Sequence, residues 1–287
     1  MRTRLTLGQK RSLEGFGFVL PWLIGFLVFM AYPLFYSLRM SLSEVQVTAT
    51  SVNLTYVGLD NYRYAFLQDN VFPVDLSNFL IESLITVPLI VVFSLLVGLM
   101  INEEVPGRAF FRAIFFLPVI FSTSEVVMTL FTQGAGGASF VERFEVFQML
   151  VRALPQRLAD PINAVMGRFT LVLWNSGVQI LVILAALKTI GRNVYEAAAI
   201  DGAGRWEVFW KIILPALRPF IVLNAVYTIV DLSLSPFNPI LSSVSNHMFN
   251  VRTGMGYASA IGWIYFTIVL IALAVVYSLG MRRVNTM

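Results

Sequence analysis

Apolar runs long enough to cross a bilayer alternate with short polar segments along almost the whole chain. The first run, Phe16 to Leu38, follows a basic lead-in of residues 1–15. At ~1.5 Å per residue it spans a ~30 Å hydrocarbon core with some tilt. It is too long for a signal-peptide core and lacks a small-x-small cleavage site, so it reads as a mature span. Pro21 and Pro33 near its ends are tolerated in membrane helices. Residues 39–77 are polar and read as an external loop. Further spans are expected at Asn78 to Ile101, Ala113 to Thr132, Phe169 to Ile190, Ala216 to Ser235 and Ala258 to Met281. Between the third and fourth, Val141 to Leu154 repeats apolar residues at Phe144, Phe147, Val151 and Leu154, the face of a helix. That segment is too short and too charged to span, so it reads as an interfacial helix, either an external gate or binding-protein contact or a helix packed on the span ends. Residues 236–257, with Pro236, Pro239 and Gly254, read as a loop.

Composition strengthens the membrane reading. The chain is 57% hydrophobic and 13% charged, against about 25% charged in a soluble domain. Cysteine is absent, which excludes disulfides and thiolate metal sites, and a single histidine, His247, argues against a histidine-rich one. The net charge of +4 matters less than where it sits. Six spans put both termini on one side. With the N-terminus inside, Arg2, Arg4, Lys10, Arg11, Arg108, Arg112, Lys188, Arg192, Arg205, Lys211, Arg218, Arg282 and Arg283 all face the cytoplasm, as the positive-inside rule asks. The organisation is then a cytoplasmic N-terminal segment at 1–15, a membrane domain at 16–283 and a cytoplasmic tail at 284–287.

Polar residues within spans are costly and usually face a bundle interior or a water path. Here they fall on shared helical faces: Asn78, Glu82 and Thr86; Ser122, Glu125, Thr129 and Gln133; Asn175 and Gln179 beside Trp174; and Asn224, Tyr227, Thr228 and Asp231. Glu82, Glu125, Trp174, Asn175, Gln179, Asn224, Tyr227 and Asp231 are the candidates for a substrate pathway. A sugar needs hydrogen-bonding groups and aromatic faces, and Trp174, Tyr227 and Asp231 supply both kinds. The competing reading is interhelical polar glue. No nucleophile–base pair, carboxylate pair or metal-ligand spacing supports an active site.

One stretch departs from the pattern. Tyr195 to Pro219 is a charged insert of two short helices between apolar runs, placed in the cytoplasm by the span count. Three alanines at 197–199 leave a helix backbone open to close approach, and Gly202 and Gly204 bend the chain at little steric cost. Gly204 with Glu207 three residues on is suited to start a second helix. Trp206, Phe209 and Trp210 give that helix an aromatic side fit for a membrane interface, and Pro215 is expected to close it. The residues alone fit either a docking element for a soluble partner or an ordinary polar loop.

The spacing adds more. Glu196-Ala197-Ala198, three residues, Gly202, nine residues, then Ile212-x-Leu214-Pro215 resembles the EAA loop of ABC importer permease subunits. FFRAIFFLP at 110–118 and LAALKTIGRNVYEAAAIDGA at 184–203 are similar to the carbohydrate-importer branch, and the resemblance covers about residues 15–283. It implies an all-α membrane bundle of six transmembrane helices, like the type I ABC importer fold. It also implies that a helix at about Asn193 to Ile200 couples to a separate ATPase subunit through Glu196, Ala197, Ala198, Gly202, Ile212, Leu214 and Pro215. The implied partners are a second, related permease, two ATPase subunits and an external solute-binding protein. The chain has no Gly-Lys dipeptide and hence no P-loop, so ATP and magnesium are expected on the partner ATPase, and this chain is expected to hold no cofactor and to be no enzyme. Two rivals stand beside the sugar reading. One is an ABC permease for a glycerol phosphodiester, a polyamine or another polar solute. The other is an ion-coupled secondary transporter, which would use Glu82, Glu125 and Asp231 as a proton relay but leaves the loop spacing unexplained.

Overall fold

The computed structural model describes residues 7–48, 51–102, 149, 153–157, 172–250 and 252–281. The span expected at 113–132, with Glu125 on it, lies outside the described residues, as does nearly all of the helix expected at 141–154. The described chain is dominated by helices: α1 (Leu7–Phe26), a π-helical turn (Leu27–Ala31), α2 (Tyr32–Ser41), α3 (Asp60–Leu67), α4 (Phe72–Asn102), α5 (Gly177–Thr189), α6 (Arg192–Ile200), α7 (Arg205–Val208), a second π turn (Phe209–Ile213), α8 (Leu214–Ser233), α9 (Pro239–Met248) and α10 (Gly254–Met281). Four helical stretches are long and apolar enough to cross a membrane: Glu14–Ser41, Phe72–Asn102, Arg205–Ser233 and Gly254–Met281. A fifth span is reached if α5 and α6, bent by 64° at their junction, are taken together. The chain is thus a multi-pass helical membrane protein.

The two π turns have one cause. Proline cannot donate a backbone hydrogen bond, and its ring presses on the carbonyl four residues back. Just before Pro33 the Tyr32 N–H donates to the Leu27 carbonyl, and just before Pro215 the Leu214 N–H donates to the Phe209 carbonyl. Each is a step of five residues, which widens the helix one turn ahead of the ring and lets it continue. Pro215 does not close the charged run, contrary to expectation; the helix passes through it from Arg205 to Ser233 without a break.

Two compact units are present. The first comprises the chain up to Asp75 with Ile240–Phe266. Here the loop expected at 39–77 proves structured. Strands β1 (Ser43–Val47) and β2 (Val52–Tyr56) pair antiparallel, with Val45 opposite Leu54. The Asn61 amide donates to the carbonyls of Ser41 (3.0 Å) and Ser43 (3.1 Å), tying α3 back to the base of the hairpin. Gly256, buried at the start of α10, lies so close to the Ser43 carbonyl that no side chain fits between them. The loop expected at 236–257 is also corrected: it contains α9, and α10 starts four residues before Ala258. The mixture of Ser, Asn and Pro there hid the helical pattern.

The second unit is built from Leu76–Pro239 with the chain from Thr267. Val97 and Ile101 of α4 pack with Ile180 and Leu184 of α5. On the adjoining face of α5, Ile183, Ala186 and Leu187 pack with Leu217 of α8. With no apolar surface to hide from water inside a bilayer, close packing carries helix association. Gly98 serves that purpose, since a Cβ there would sit 2.6 Å from Cγ2 of Ile183.

Candidate functional site

The charged stretch from Tyr195 to Pro219 begins with two helices joined by a defined turn. α6 follows Gly191, whose extended backbone breaks the α5 axis. At its far end the N–H of Ala203 donates to the carbonyl of Ala198 (2.9 Å), and that of Gly202 to Ala199 (3.1 Å). This six-to-one, five-to-two pair is a Schellman cap, which requires a left-handed residue at its turn. Gly202 supplies it at φ +73°. Glu196 stands exposed on the outer side of α6, its Oε1 accepting from Nε of Arg192 at 3.0 Å. Ala197 and Ala199 are exposed beside it and Ala198 is buried against the chain. Past the turn, the Glu207 carboxylate accepts the N–H of Gly204 at 3.3 Å, and Lys211 donates to it at 3.0 Å. Trp206, Phe209 and Trp210 form a mutual aromatic cluster, with centroids 5.1–6.3 Å apart. Ile200 and Trp206 are largely exposed, so this loop presents charged and apolar groups together. Ile212, Leu214 and Pro215 are half-buried where the loop enters the span.

The polar candidates inside the spans separate into groups. Gln179 and Asn224 are fully buried between α5 and α8. The Asn224 amide donates to the Gln179 carbonyl (3.0 Å), the Gln179 amide to the Thr228 hydroxyl (3.2 Å), and that hydroxyl to the Asn224 carbonyl (2.7 Å). Helical spacing places Asn224 and Thr228 on one face; no local pattern puts Gln179 opposite them. Tyr227 and Asp231, one turn apart on α8, are less buried, and Trp174 and Asn175 are half-buried. Glu82 lines a small cleft with Thr86 and the turn that follows α8. Among the described residues no group of three or more His, Cys, Asp or Glu is placed to hold a metal ion.

A second polar cluster had no signal in the sequence. Asp69, just before α4, accepts the N–H groups of Val71 (2.7 Å) and Phe72 (3.1 Å) and the hydroxyl of Tyr257. His247 Nε2 lies 3.8 Å from the same carboxylate, and its Nδ1 is 3.0 Å from the Thr253 hydroxyl. The Tyr257 ring meets His247 and Tyr64 edge-on, at 4.9 and 5.0 Å. Burial opposes the charge on Asp69, yet the Tyr257 hydroxyl, the two backbone donors and His247 together hold its pKa below the ordinary carboxylate range.

No protein-family profile matches the chain. Whole proteins do. The chain is 30% identical over 280 residues to the probable ABC transporter permease protein YesP of Bacillus subtilis, covering 91% of this chain and 88% of that one. The chain belongs to the ABC transporter permeases. The permease is also 27% identical to MsmF, a multiple sugar-binding transport system permease of Streptococcus mutans, over 89% of its own length and 91% of MsmF. It is 26% identical to the lactose transport system permease LacF of Rhizobium radiobacter, over 94% of each chain. In fold it is similar to a chain of a bacterial ABC transporter involved in the import of the acidic polysaccharide alginate, with a TM-score of 0.71, 21% identity and coverage of 95% and 96%. A second alginate transporter structure, solved with an alginate pentasaccharide-bound periplasmic protein, gives a TM-score of 0.67 at 20% identity over 96% of each chain.

Proposed function

We propose that this permease forms part of the membrane pathway of an ATP-driven importer for a sugar or oligosaccharide. It works with a second, related permease, two ATPase subunits that bind ATP and magnesium, and an external solute-binding protein. We assign it six spans with both termini cytoplasmic in a bacterial or archaeal cytoplasmic membrane. The observation that carries the coupling reading is α6: a short exposed helix, sealed by a Schellman cap at Gly202, whose presented residues include Glu196. Such a helix is a rigid handle, and a soluble ATPase can bias the spans only through contacts that differ between their states. In this reading Glu196 meets a basic group of the ATPase, Ala197 allows close approach, and Ala198, buried against the chain, seats the helix. Ile212, Leu214 and Pro215 join the handle to the span. The sugar assignment draws on relatives named for sugar transport and on the mix of aromatic and hydrogen-bonding groups at Glu82, Trp174, Asn175, Tyr227 and Asp231, with Glu125 expected on the same route. Gln179 and Asn224 act as ties between α5 and α8.

Replacing Gly202 by Val forces a β-branched residue into a left-handed conformation at a strain of about 1–2 kcal/mol and misaims α6. The expected outcome for the Glu196→Lys, Gly202→Val double variant is membrane insertion at normal levels, loss of ATPase co-purification, and sugar uptake lowered at least about tenfold. Full ATP-dependent uptake by that variant, or uptake into liposomes by this chain without any ATPase, would overturn the proposal.

A further inference from the structure

Thr86 is 2% exposed, yet its hydroxyl has no hydrogen-bond partner. A buried polar atom left unpaired is uncommon and calls for a partner that the protein itself does not supply. Ser94, two turns further along α4, is also buried and unpaired, but it does not line the cleft between α4 and the turn after α8. Thr86 does. It lies on the wall of a small open cleft of about 70 Å³, bounded by Glu82, Ser83, Ser235 and Asn238 and flanked by Phe79 and Phe237. The α4 side of this cleft lies in the outer half of that helix in the proposed topology, and Ser235, Phe237 and Asn238 form the turn that follows α8. Asn238 is itself held in place, donating to the Ser233 carbonyl at 2.9 Å, so this wall is preorganised.

We infer that the Thr86 cleft is a subsite for the hydroxyl groups of a saccharide on the external side of the pathway, a step that rests on the sugar-permease reading above. The chemistry of the walls supports that ligand class. Hydroxyl and amide groups donate and accept in turn, which suits a hydroxyl-bearing edge, and the two phenylalanine faces suit the C–H face of a pyranose or furanose ring. No Lys or Arg lines the cleft among the described residues, which disfavours a phosphate-bearing cargo. The cleft holds one sugar edge rather than a whole chain, so it acts as an entry subsite that reads one residue of the cargo. Thr86 and Ser83 lie on a span whose polar face the sequence marks at Asn78, Glu82 and Thr86, while the opposing wall comes from the turn before α9, in a stretch that reads as plain loop from sequence.

The test uses the complete transporter in proteoliposomes with its binding protein and ATPase. Uptake of radiolabelled lactose, arabinotriose and an alginate trisaccharide is compared among wild type, Thr86→Val and Thr86→Ser. Valine keeps the shape of threonine and removes the hydroxyl; serine keeps the hydroxyl. For whichever sugar the wild type accumulates, Thr86→Val should raise the half-saturating concentration about five- to tenfold, the usual effect of leaving a ligand hydroxyl unpaired in a buried site, and Thr86→Ser should restore it. A Thr86→Val variant that loses thermal stability while its half-saturation stays at the wild-type value marks a site for a structural water only, and overturns the subsite. Equal half-saturation and equal stability in both variants overturns it as well. Wild-type transporter that accumulates none of the three sugars, in liposomes where ATP hydrolysis is intact, counts against the sugar reading itself and takes the subsite with it.

Discussion

At the scale of single residues, polar groups in this permease act through a few well-placed partners. Asp69 is the clearest case, with a single carboxylate engaging two backbone N–H groups and the Tyr257 hydroxyl. Tyr257→Phe removes one donor from a nearly buried carboxylate and should cost about 1–3 kcal/mol, read as a lower melting temperature in detergent. The pH dependence has a fixed sign. The folded pKa of Asp69 lies below its unfolded value, so the stabilisation is fully present above the unfolded pKa, near ~3.9. It is lost as pH falls through the lower folded pKa. Melting temperatures of wild type and Asp69→Asn should therefore converge between about pH 4 and the acid end of the titration, and stay apart above it. None of this was legible in the sequence. Asp69 and Tyr257 are 188 residues apart, and no local spacing ties a loop aspartate to a tyrosine at the mouth of another helix. The turn after α6 was legible because its geometry is local: the cap at Gly202 closes within six residues.

At the scale of elements, helix contact depends on where side chains are missing. Gly98 lets α4 approach α5 at Ile183, and a Cβ there would sit 2.6 Å from Cγ2 of Ile183. Gly98→Ala should lower thermal stability by the overpacking cost of about 1–3 kcal/mol. Adding Ile183→Ala should recover part of that loss, a coupling read from the double-mutant cycle; simple additivity would show that the two helices do not meet there. The apolar runs made the long helices easy to find, because about twenty apolar positions in a row suit a bilayer-crossing helix and little else. Their ends were harder. α4 starts six residues before the expected Asn78, and the fifth span reaches back to Arg205, since a helix entering polar surroundings loses its hydrophobic signature before it loses its hydrogen bonds. The hairpin escaped notice for a different reason: Val45 and Val47, and Val52, Leu54 and Tyr56, do alternate with polar residues, but each strand is only five residues long and mostly exposed, so the pattern is lost in a polar stretch.

At the scale of the whole molecule, the absence of cysteine makes topology directly measurable. A single cysteine at Asn53, in the hairpin, should react with an impermeant maleimide only from outside the cell, and one at Asn193, at the start of α6, only from the cytoplasmic side. Labelling of both from one side would refute the six-span, termini-in arrangement. Each site lies in a described element on a polar segment, so neither substitution disturbs a packed helix. One consequence concerns transmission. The helix from Arg205 to Ser233 is unbroken over 29 residues, about 43 Å at ~1.5 Å per residue. Its N-terminal end carries the Glu207–Lys211 pair, and its other end stops just short of the turn that walls the Thr86 cleft. A stiff rod of that length turns a tilt of about 5° at one end into a displacement of about 4 Å at the other. The π turn at Phe209–Ile213 sits near the loop end of that rod, so in the proposed coupling a push on the loop arrives at the other end as a lever stroke.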